Sequence, residues 1–159
     1  MGRIVLDTNS LIQSIPSRSR YHEIWQSFLD GTNILCVSTD ILAEYEEILQ
    51  RLTDEDTAQL IIELIINNPY TKFFTPHYKF NLIEADPDDN KFVDCAICAN
   101  ARFIVTEDHH FDVLNFCSFP KVDIIGIDDF LNLLQSYSRA DQDSSISTVN
   151  EEFVPYEPR

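Results

Sequence analysis

The stretch RIVLDTN, residues 3–9, is a short apolar segment that ends at an acidic residue, Asp7. Four further segments are rich in β-branched and aromatic residues and are separated by helical patterns: ILCVS at 34–38, KFFT at 72–75, RFIVT at 102–106 and VDIIGI at 122–127. Short, nearly continuous apolar runs of this kind are typical of strands buried on both faces of a parallel sheet. The sequence therefore predicts a three-layer α/β/α sandwich with a mostly parallel central sheet of about five strands.

Helical apolar spacing predicts the second set of elements. The expected helices lie at about 21–30, 40–52, 54–67, 89–101 and 128–137. Side chains that can cap a helix stand at three of the starts: residues 38–40, Asp88 or Asp89, and Asp128. Strands and helices thus alternate along the chain, as connections between parallel strands require.

Length and composition indicate one domain followed by a polar extension. The 159 residues, of which 44% are hydrophobic, are enough for a single domain with a buried core. We assign residues 1–135 to that domain, because residues 136–159 lose apolar periodicity and gain Ser, Asp, Glu and Pro. This acidic C-terminal segment is predicted to be an extended tail. Phe153, Val154 and Tyr156 are its side chains best suited to contact a partner.

The charge balance narrows the classes of function. The chain has 27 acidic and 11 basic residues, which gives a formal net charge of -16. Affinity for phosphates comes mostly from Lys and Arg, so the composition argues against sequence-independent binding of nucleic acid. No apolar run approaches the roughly 18 to 20 residues of a membrane helix. The start, MGRIVLDTN, also lacks the pattern of a secretory signal. We expect a cytoplasmic protein with no membrane partner.

The four cysteines stand in apolar segments: Cys36, Cys95, Cys98 and Cys117. In a protein without an export signal, this placement favours buried reduced thiols over disulfides. Cys95 and Cys98 have CxxC spacing, but they lie inside a predicted helix and have no second CxxC and no nearby His pattern. The sequence therefore favours structural thiols over zinc or redox chemistry.

Acidic residues follow two of the predicted strands. In an open parallel sheet, ligands bind outside the carboxyl ends of the strands, where Asp7 and Asp108 are expected. Each has a structural alternative, since Asp7 could cap the following turn and Asp108 could be an ordinary loop residue. Glu44 borders the apolar stripe of its predicted helix, three residues after Ile41 and four before Ile48. A carboxylate at the edge of a core needs a partner, which makes Glu44 a candidate ligand.

The segment ADPDDNKFVD, residues 85–94, holds four acidic residues: Asp86, Asp88, Asp89 and Asp94. Capping of the predicted helix accounts for one or two of them. Asp89 and Asp94 are separated by roughly 140 degrees around a helix, so they are not expected to serve one metal ion equally. Which of the two belongs to a site is left open by the spacing alone.

Together these residues predict a cluster of hard oxygen ligands without a basic residue: Asp7, Glu44, one acid of residues 86–94, and Asp108. Such a cluster repels itself and suits Mg²⁺ or Mn²⁺, which prefer carboxylates and water. One or two such ions can activate water for in-line attack on a phosphodiester. His109 and His110 follow Asp108 and are expected to face solvent or to line the rim. The chemistry implied is metal-dependent hydrolysis.

Four motifs follow one another along the chain: VLDTN, STDILAEY, DPDDNKF and IVTEDHHF. In this order and spacing they resemble the PIN-domain ribonucleases, specifically the branch of toxins from toxin–antitoxin pairs. The resemblance covers roughly residues 3–135. It implies a PIN-like fold and endoribonuclease activity that depends on Mg²⁺ or Mn²⁺.

The resemblance also implies roles for individual residues. Four positions match the metal-binding acids of the family in order: Asp7, Glu44, Asp89 and Asp108. Asp94 stands where this branch often has another acid, so it is kept with them as a catalytic candidate. Asn9 and Thr106 match the small polar residues that hold the geometry of the site.

Two functions follow from these observations. The first is a metal-dependent endoribonuclease that acts as a toxin, for which the resemblance implies an RNA substrate, a cognate antitoxin and, by analogy, a homodimer. The second is a catalytically weak or inactive PIN-like binding module whose acidic surface engages a basic protein partner. The net charge of -16 motivates the second function, as does the scarcity of bases near the site. Lys91 and Arg102 are the nearest in sequence.

Overall fold

The computed structural model describes residues 2–151, with side chains described through residue 141. Within this part of the chain five strands form one sheet: β1 (Arg3–Leu6), β2 (Ile34–Val37), β3 (Thr71–Phe73), β4 (Phe103–Val105) and β5 (Ile124–Ile125). The strand order is β3-β2-β1-β4-β5, and all neighbours are parallel. Ile4, Val5 and Leu6 are all buried. Since successive side chains point to opposite faces, both faces of the sheet are covered, and the predicted α/β fold is confirmed.

Six α-helices surround this sheet within the described residues: α1 (Thr8–Ser14), α2 (His22–Leu29), α3 (Thr39–Leu52), α4 (Glu55–Asn67), α5 (Asn90–Ala99) and α6 (Ile127–Glu151). Two 3-10 segments, Pro87–Asp89 and His109–Phe116, precede α5 and follow β4. Helix α5 packs on β1, β2 and β4, and α3 packs against α4 and α5. Helix α2 contacts α1 and α6. Because β1 and β4 are neighbours, the residues that follow them meet at one edge of the sheet.

The helix starts agree only in part with the predicted caps. Ser38 caps α3 as predicted, since its side chain accepts a hydrogen bond from the Ile41 backbone N–H at 3.3 Å. The expectation for α5 was wrong, because neither Asp88 nor Asp89 makes a side-chain capping bond to this helix. Helix α6 begins one residue before Asp128, and its first N–H is bound by the carboxylate of Glu107.

Helix α6 is longer than the sequence predicted. It continues to Glu151, so residues 136–151 are helical and the prediction of an extended tail was wrong for them. The predicted end rested on the loss of apolar periodicity, but residues 127–151 contain no Gly or Pro that would break a helix. The predicted contact residues Phe153, Val154 and Tyr156 lie outside the described residues. The division of the chain at residue 135 stays a prediction.

The cysteines divide into two classes. All four are free, and Cys36 and Cys95 are buried as predicted. Burial raises the pKa of Cys36 to about 11 and that of Cys95 to about 12, which leaves both as inert thiols. The prediction was wrong for Cys98, which is exposed, and for Cys117, which is partly exposed.

Between residues 2 and 151, none of the helices has the length and apolarity that a membrane crossing requires.

Candidate functional site

Asp7 and Thr106 meet where the two central strands end. The Asp7 backbone N–H donates to the Val105 carbonyl at 3.1 Å, which continues the pairing of β1 with β4. The Thr106 hydroxyl donates to Asp7 Oδ2, and Thr106 Oγ1 accepts from the Asp108 backbone N–H at 3.0 Å. Thr106 therefore links the two acidic residues that follow β1 and β4.

Asp7 has two structural roles at once. Its Oδ1 accepts from the Ser10 backbone N–H at 2.7 Å and caps α1, a seven-residue helix that the sequence pattern did not predict. Burial raises the pKa of Asp7, and the negative charge of Asp108 acts in the same direction. Hydrogen bonds from Thr106 and Ser10 oppose this rise. The carboxylate is thus fixed in place but carries a desolvation cost.

Asp89 lies at the end of the Pro87–Asp89 segment, immediately before α5. Its Oδ2 atom is buried and has no hydrogen-bond partner among the described residues. Burial, together with the negative charges of Asp86 and Asp108, raises the pKa of Asp89 to about 6, while the His110 imidazole acts in the opposite direction. A buried carboxylate oxygen without a donor is costly, so this atom is suited to a cation.

His110 lies among these acids rather than merely at their rim. Its Nδ1 atom is 3.2 Å from Asp108 Oδ1, 3.4 Å from Asp89 Oδ2 and 4.0 Å from Asp86 Oδ2. His109, in contrast, has a side chain that is 95% exposed and faces solvent as predicted. We call Asp7, Asp86, Asp89, Asp108 and His110 the sheet-edge cluster.

Glu44 has a different environment, which corrects the prediction of a site without a base. The Thr8 hydroxyl donates to Glu44 Oε1, and Lys91 Nζ, from the first turn of α5, donates to Glu44 Oε2. Lys91 Nζ also lies 3.1 Å from Asp88 Oδ1. The Lys91 and Glu44 side chains are only 15% and 23% exposed. The chain itself therefore supplies a cation to Glu44.

Asp94 has contacts that differ from those of Asp89. Its Oδ1 accepts from the Phe80 backbone N–H at 3.1 Å, so it holds the segment that leads into α5. Burial raises the pKa of Asp94. Asp94 and Glu44 both line a cleft of about 760 Å³ between α3, α5 and residues 79–91. We call these two acids the cleft pair.

The structure also shows which small polar residues hold the site. Thr106 does so through the hydrogen bonds described above. Asn9 is exposed, and its side chain makes no hydrogen bond within the described part of the chain. Thr8, its neighbour, is buried and binds Glu44 instead. Sequence analysis missed Thr8, although its place directly after Asp7 could have indicated it.

The sheet-edge cluster has the donors that a hard divalent cation prefers. One ligand atom from each of Asp86, Asp89 and His110 lies within 4.8 Å of the other two. Asp7 and Asp108 add carboxylates at the same edge of the sheet, joined through Thr106. Carboxylate oxygens suit Mg²⁺ and Mn²⁺, and the unpartnered Asp89 Oδ2 fits this assignment.

Comparisons with known proteins agree with this fold. A chain of the VapBC2 structure from Rickettsia felis, bound to a DNA fragment from their promoter, has a TM-score of 0.56 at 15% identity. That match covers 78% of this chain and 98% of the other. For VapBC-1 from nontypeable Haemophilus influenzae, the TM-score is 0.55 at 15% identity, with 80% and 99% covered. No curated protein matches the sequence significantly. The model of the PIN domain matches residues 3–110, so the chain belongs to the PIN domain family, whose members are generally nucleases.

Proposed function

We propose that this protein is a metal-dependent endoribonuclease that hydrolyses RNA phosphodiester bonds with Mg²⁺ or Mn²⁺. The observation that carries the proposal is the convergence of Asp7, Asp89 and Asp108 at the carboxyl ends of β1 and β4. Among them Asp89 Oδ2 is buried without a donor. Burial raises the pKa of both Asp7 and Asp89, and repulsion from the neighbouring carboxylates adds to this cost.

A divalent cation would remove this cost and supply the chemistry. When bound, it activates water and stabilises the leaving oxygen of a phosphodiester. Asp7, Asp89 and Asp108 are the proposed ligands, while Glu44, the fourth acid that the resemblance implies, is paired with Lys91. The protein contributes the orientation of these ligands, because the Thr106 hydroxyl fixes the Asp7 carboxylate.

The surroundings of Asp89 and Asp94 favour Asp89 as the third acid. Asp89 has an unpartnered oxygen beside Asp108, whereas Asp94 already accepts a backbone hydrogen bond from Phe80. In the proposed reaction Asp94 acts indirectly, by holding the segment that brings Asp89 to the sheet edge.

We further propose that the protein is the toxin of a toxin–antitoxin pair. The sequence resemblance to that branch supports this, as does the similarity of the fold to two VapBC structures. A net charge of -16 suits a basic antitoxin segment better than bulk RNA, because complementary charge favours association. We therefore expect weak affinity for bulk RNA and strong dependence on divalent metal.

The test is cleavage of a single-stranded RNA by the purified protein with Mn²⁺ or Mg²⁺. We expect the Asp7→Asn variant to lose at least about a hundredfold in rate, since bound metal supplies several kcal/mol of transition-state stabilisation. The matched control is Asp112→Asn, which removes an exposed carboxylate that pairs with His109. Equal activity of the Asp7→Asn variant and the wild type would contradict the proposal and point to a contaminating nuclease.

A further inference from the structure

We propose that His110 is a metal ligand of the sheet-edge cluster through Nδ1, so that the site has a mixed nitrogen and oxygen donor set. This inference rests on the proposed function, because it concerns the same cation. It assigns a ligand that the four matched acids do not include.

The spacing of the atoms supports this role. Two ligand atoms that each lie about 2.1 Å from one ion, at 90 to 110 degrees, are about 3.0 to 3.4 Å apart. His110 Nδ1 is 3.2 Å from Asp108 Oδ1 and 3.4 Å from Asp89 Oδ2. A cation that touches these two carboxylates is therefore within reach of the imidazole.

His110 Nδ1 and Asp89 Oδ2 form a close ion pair that lacks the geometry of a well-aligned hydrogen bond. Although Nδ1 is only 3.4 Å away, Asp89 Oδ2 accepts no aligned hydrogen bond from any described residue. His109 offers a contrast, because its Nδ1 contacts Asp112 Oδ2 at 3.2 Å in hydrogen-bond geometry. With Nδ1 unprotonated, the same spacing places the nitrogen and the carboxylate oxygen as two ligands of one ion.

The backbone holds His110 in this position. Its N–H donates to Asp108 Oδ1 at 2.9 Å, at the start of the His109–Phe116 segment. The His110 side chain is 44% exposed, against 95% for His109. Since Asp108 both accepts this bond and faces Nδ1, the ring and the carboxylate are positioned together.

A nitrogen ligand changes which metal the site prefers. Mg²⁺ strongly favours oxygen ligands and water, whereas first-row transition metals also accept imidazole, Mn²⁺ the most weakly of them. We therefore expect the protein to bind Mn²⁺ more tightly than Mg²⁺, and we expect His110 to be responsible for part of that difference.

The experiment has two parts. The first is calorimetric titration of the full chain with Mn²⁺ and, separately, with Mg²⁺. The second is electron spin echo spectroscopy of the Mn²⁺-loaded protein. Wild type should show the nitrogen modulation of a directly bound imidazole. His110→Asn should abolish that signal and raise the Kd for Mn²⁺ at least about tenfold, with a smaller change for Mg²⁺. His109→Asn is the matched control, and it should leave the signal and both affinities unchanged. Thermal melting checks that each variant is folded.

Two outcomes would overturn the inference while leaving the proposed function intact. In the first, Mn²⁺ binds to the wild type without nitrogen modulation. In the second, the modulation persists in His110→Asn or disappears in His109→Asn. Failure of the wild type to bind Mn²⁺ at millimolar concentration is a different result, since it would contradict both the ligand role of His110 and the metal-dependent nuclease.

Discussion

The carboxylates of the sheet-edge cluster and those of the cleft pair differ in whether the chain supplies them with a partner. In the cleft pair, Glu44 is paired with Lys91 and Asp94 accepts the Phe80 N–H. In the sheet-edge cluster, Asp89 keeps a buried oxygen without a donor. The chain thus satisfies one set of carboxylates itself and leaves the other for a cation. The difference indicates that a candidate ligand is recognised by a carboxylate oxygen without a partner, and not by an acidic residue in a cleft.

The largest expected effect is on Mn²⁺ binding. It distinguishes Asp89, which immediately precedes α5, from Asp94, which lies within that helix. Asp89→Asn should weaken Mn²⁺ binding by about tenfold to a hundredfold, because it removes a proposed ligand. Asp94→Asn should change Mn²⁺ binding little, since the amide oxygen of Asn can still accept the Phe80 N–H. Calorimetric titration of both variants measures the difference. A greater loss of affinity in Asp94→Asn would reverse the assignment of the third acid.

A second prediction concerns the Lys91 side chain, which is the positive charge paired with Glu44 in the cleft. Lys91→Met leaves Glu44 largely buried without its charge partner, so the free energy of unfolding in EDTA should fall by about 1 to 2 kcal/mol. Arg51→Met is the matched control. It removes an exposed ion pair with Glu47 that lines the same cleft, and it should cost less than about 0.5 kcal/mol.

The double variant Lys91→Met/Glu44→Gln sharpens this comparison. Gln carries no charge to leave unpaired, so the double variant should lose less stability than the two single losses add up to. Urea unfolding of all four proteins gives the coupling free energy. Strict additivity would mean that Lys91 and Glu44 are not coupled, and that Glu44 is as free to bind a metal ion as the sheet-edge acids.

The sequence predicted the position of the sheet-edge acids better than the contacts of the acids in the cleft. Asp7 and Asp108 could be placed because apolar runs mark the strands, and parallel strands bring their carboxyl ends together. The contact of Lys91 with Glu44 depends on how α5 packs against α3, and periodicity within each helix does not encode that packing. The position of His110 depends likewise on irregular backbone, since the His109–Phe116 segment meets Asp89 from a distant part of the chain.

Local register explains the remaining differences. Asn9 and Thr8 are neighbours, and the Asp7 cap of α1 determines which of them faces the core. That helix is only seven residues long, too short for its apolar spacing to be recognised. The predicted end of helix α6 was wrong for the opposite reason. There a polar segment without Gly or Pro remains helical beyond the apolar stripe.

A third prediction tests the link between the two regions. The Tyr45 hydroxyl, on α3, donates to the Leu6 carbonyl, directly before Asp7. Tyr45→Phe keeps the buried ring but removes this bond, so it should cost about 1 kcal/mol, or roughly 2 to 4 °C in Tm. Tyr78→Phe, at an exposed ring, is the control and should leave Tm unchanged. Equal Tm values for both variants would mean that the hydroxyl does not tie α3 to β1.

The smallest effect is the pH dependence of Asp94. Burial raises the pKa of the Asp94 carboxyl above its ordinary value, so the native state holds the proton more tightly than the unfolded chain does. Between the two pKa values the wild type therefore loses stability as the pH rises. Asp94→Asn cannot titrate, so its stability relative to the wild type should increase from about pH 4 toward neutrality. The change should be smaller than for Tyr45→Phe, because the bond from Phe80 is retained. Urea unfolding at several pH values measures this change. A relative stability that falls with rising pH would show that Asp94 gains more from the Phe80 N–H and the positive charge of Lys79 than it loses by burial.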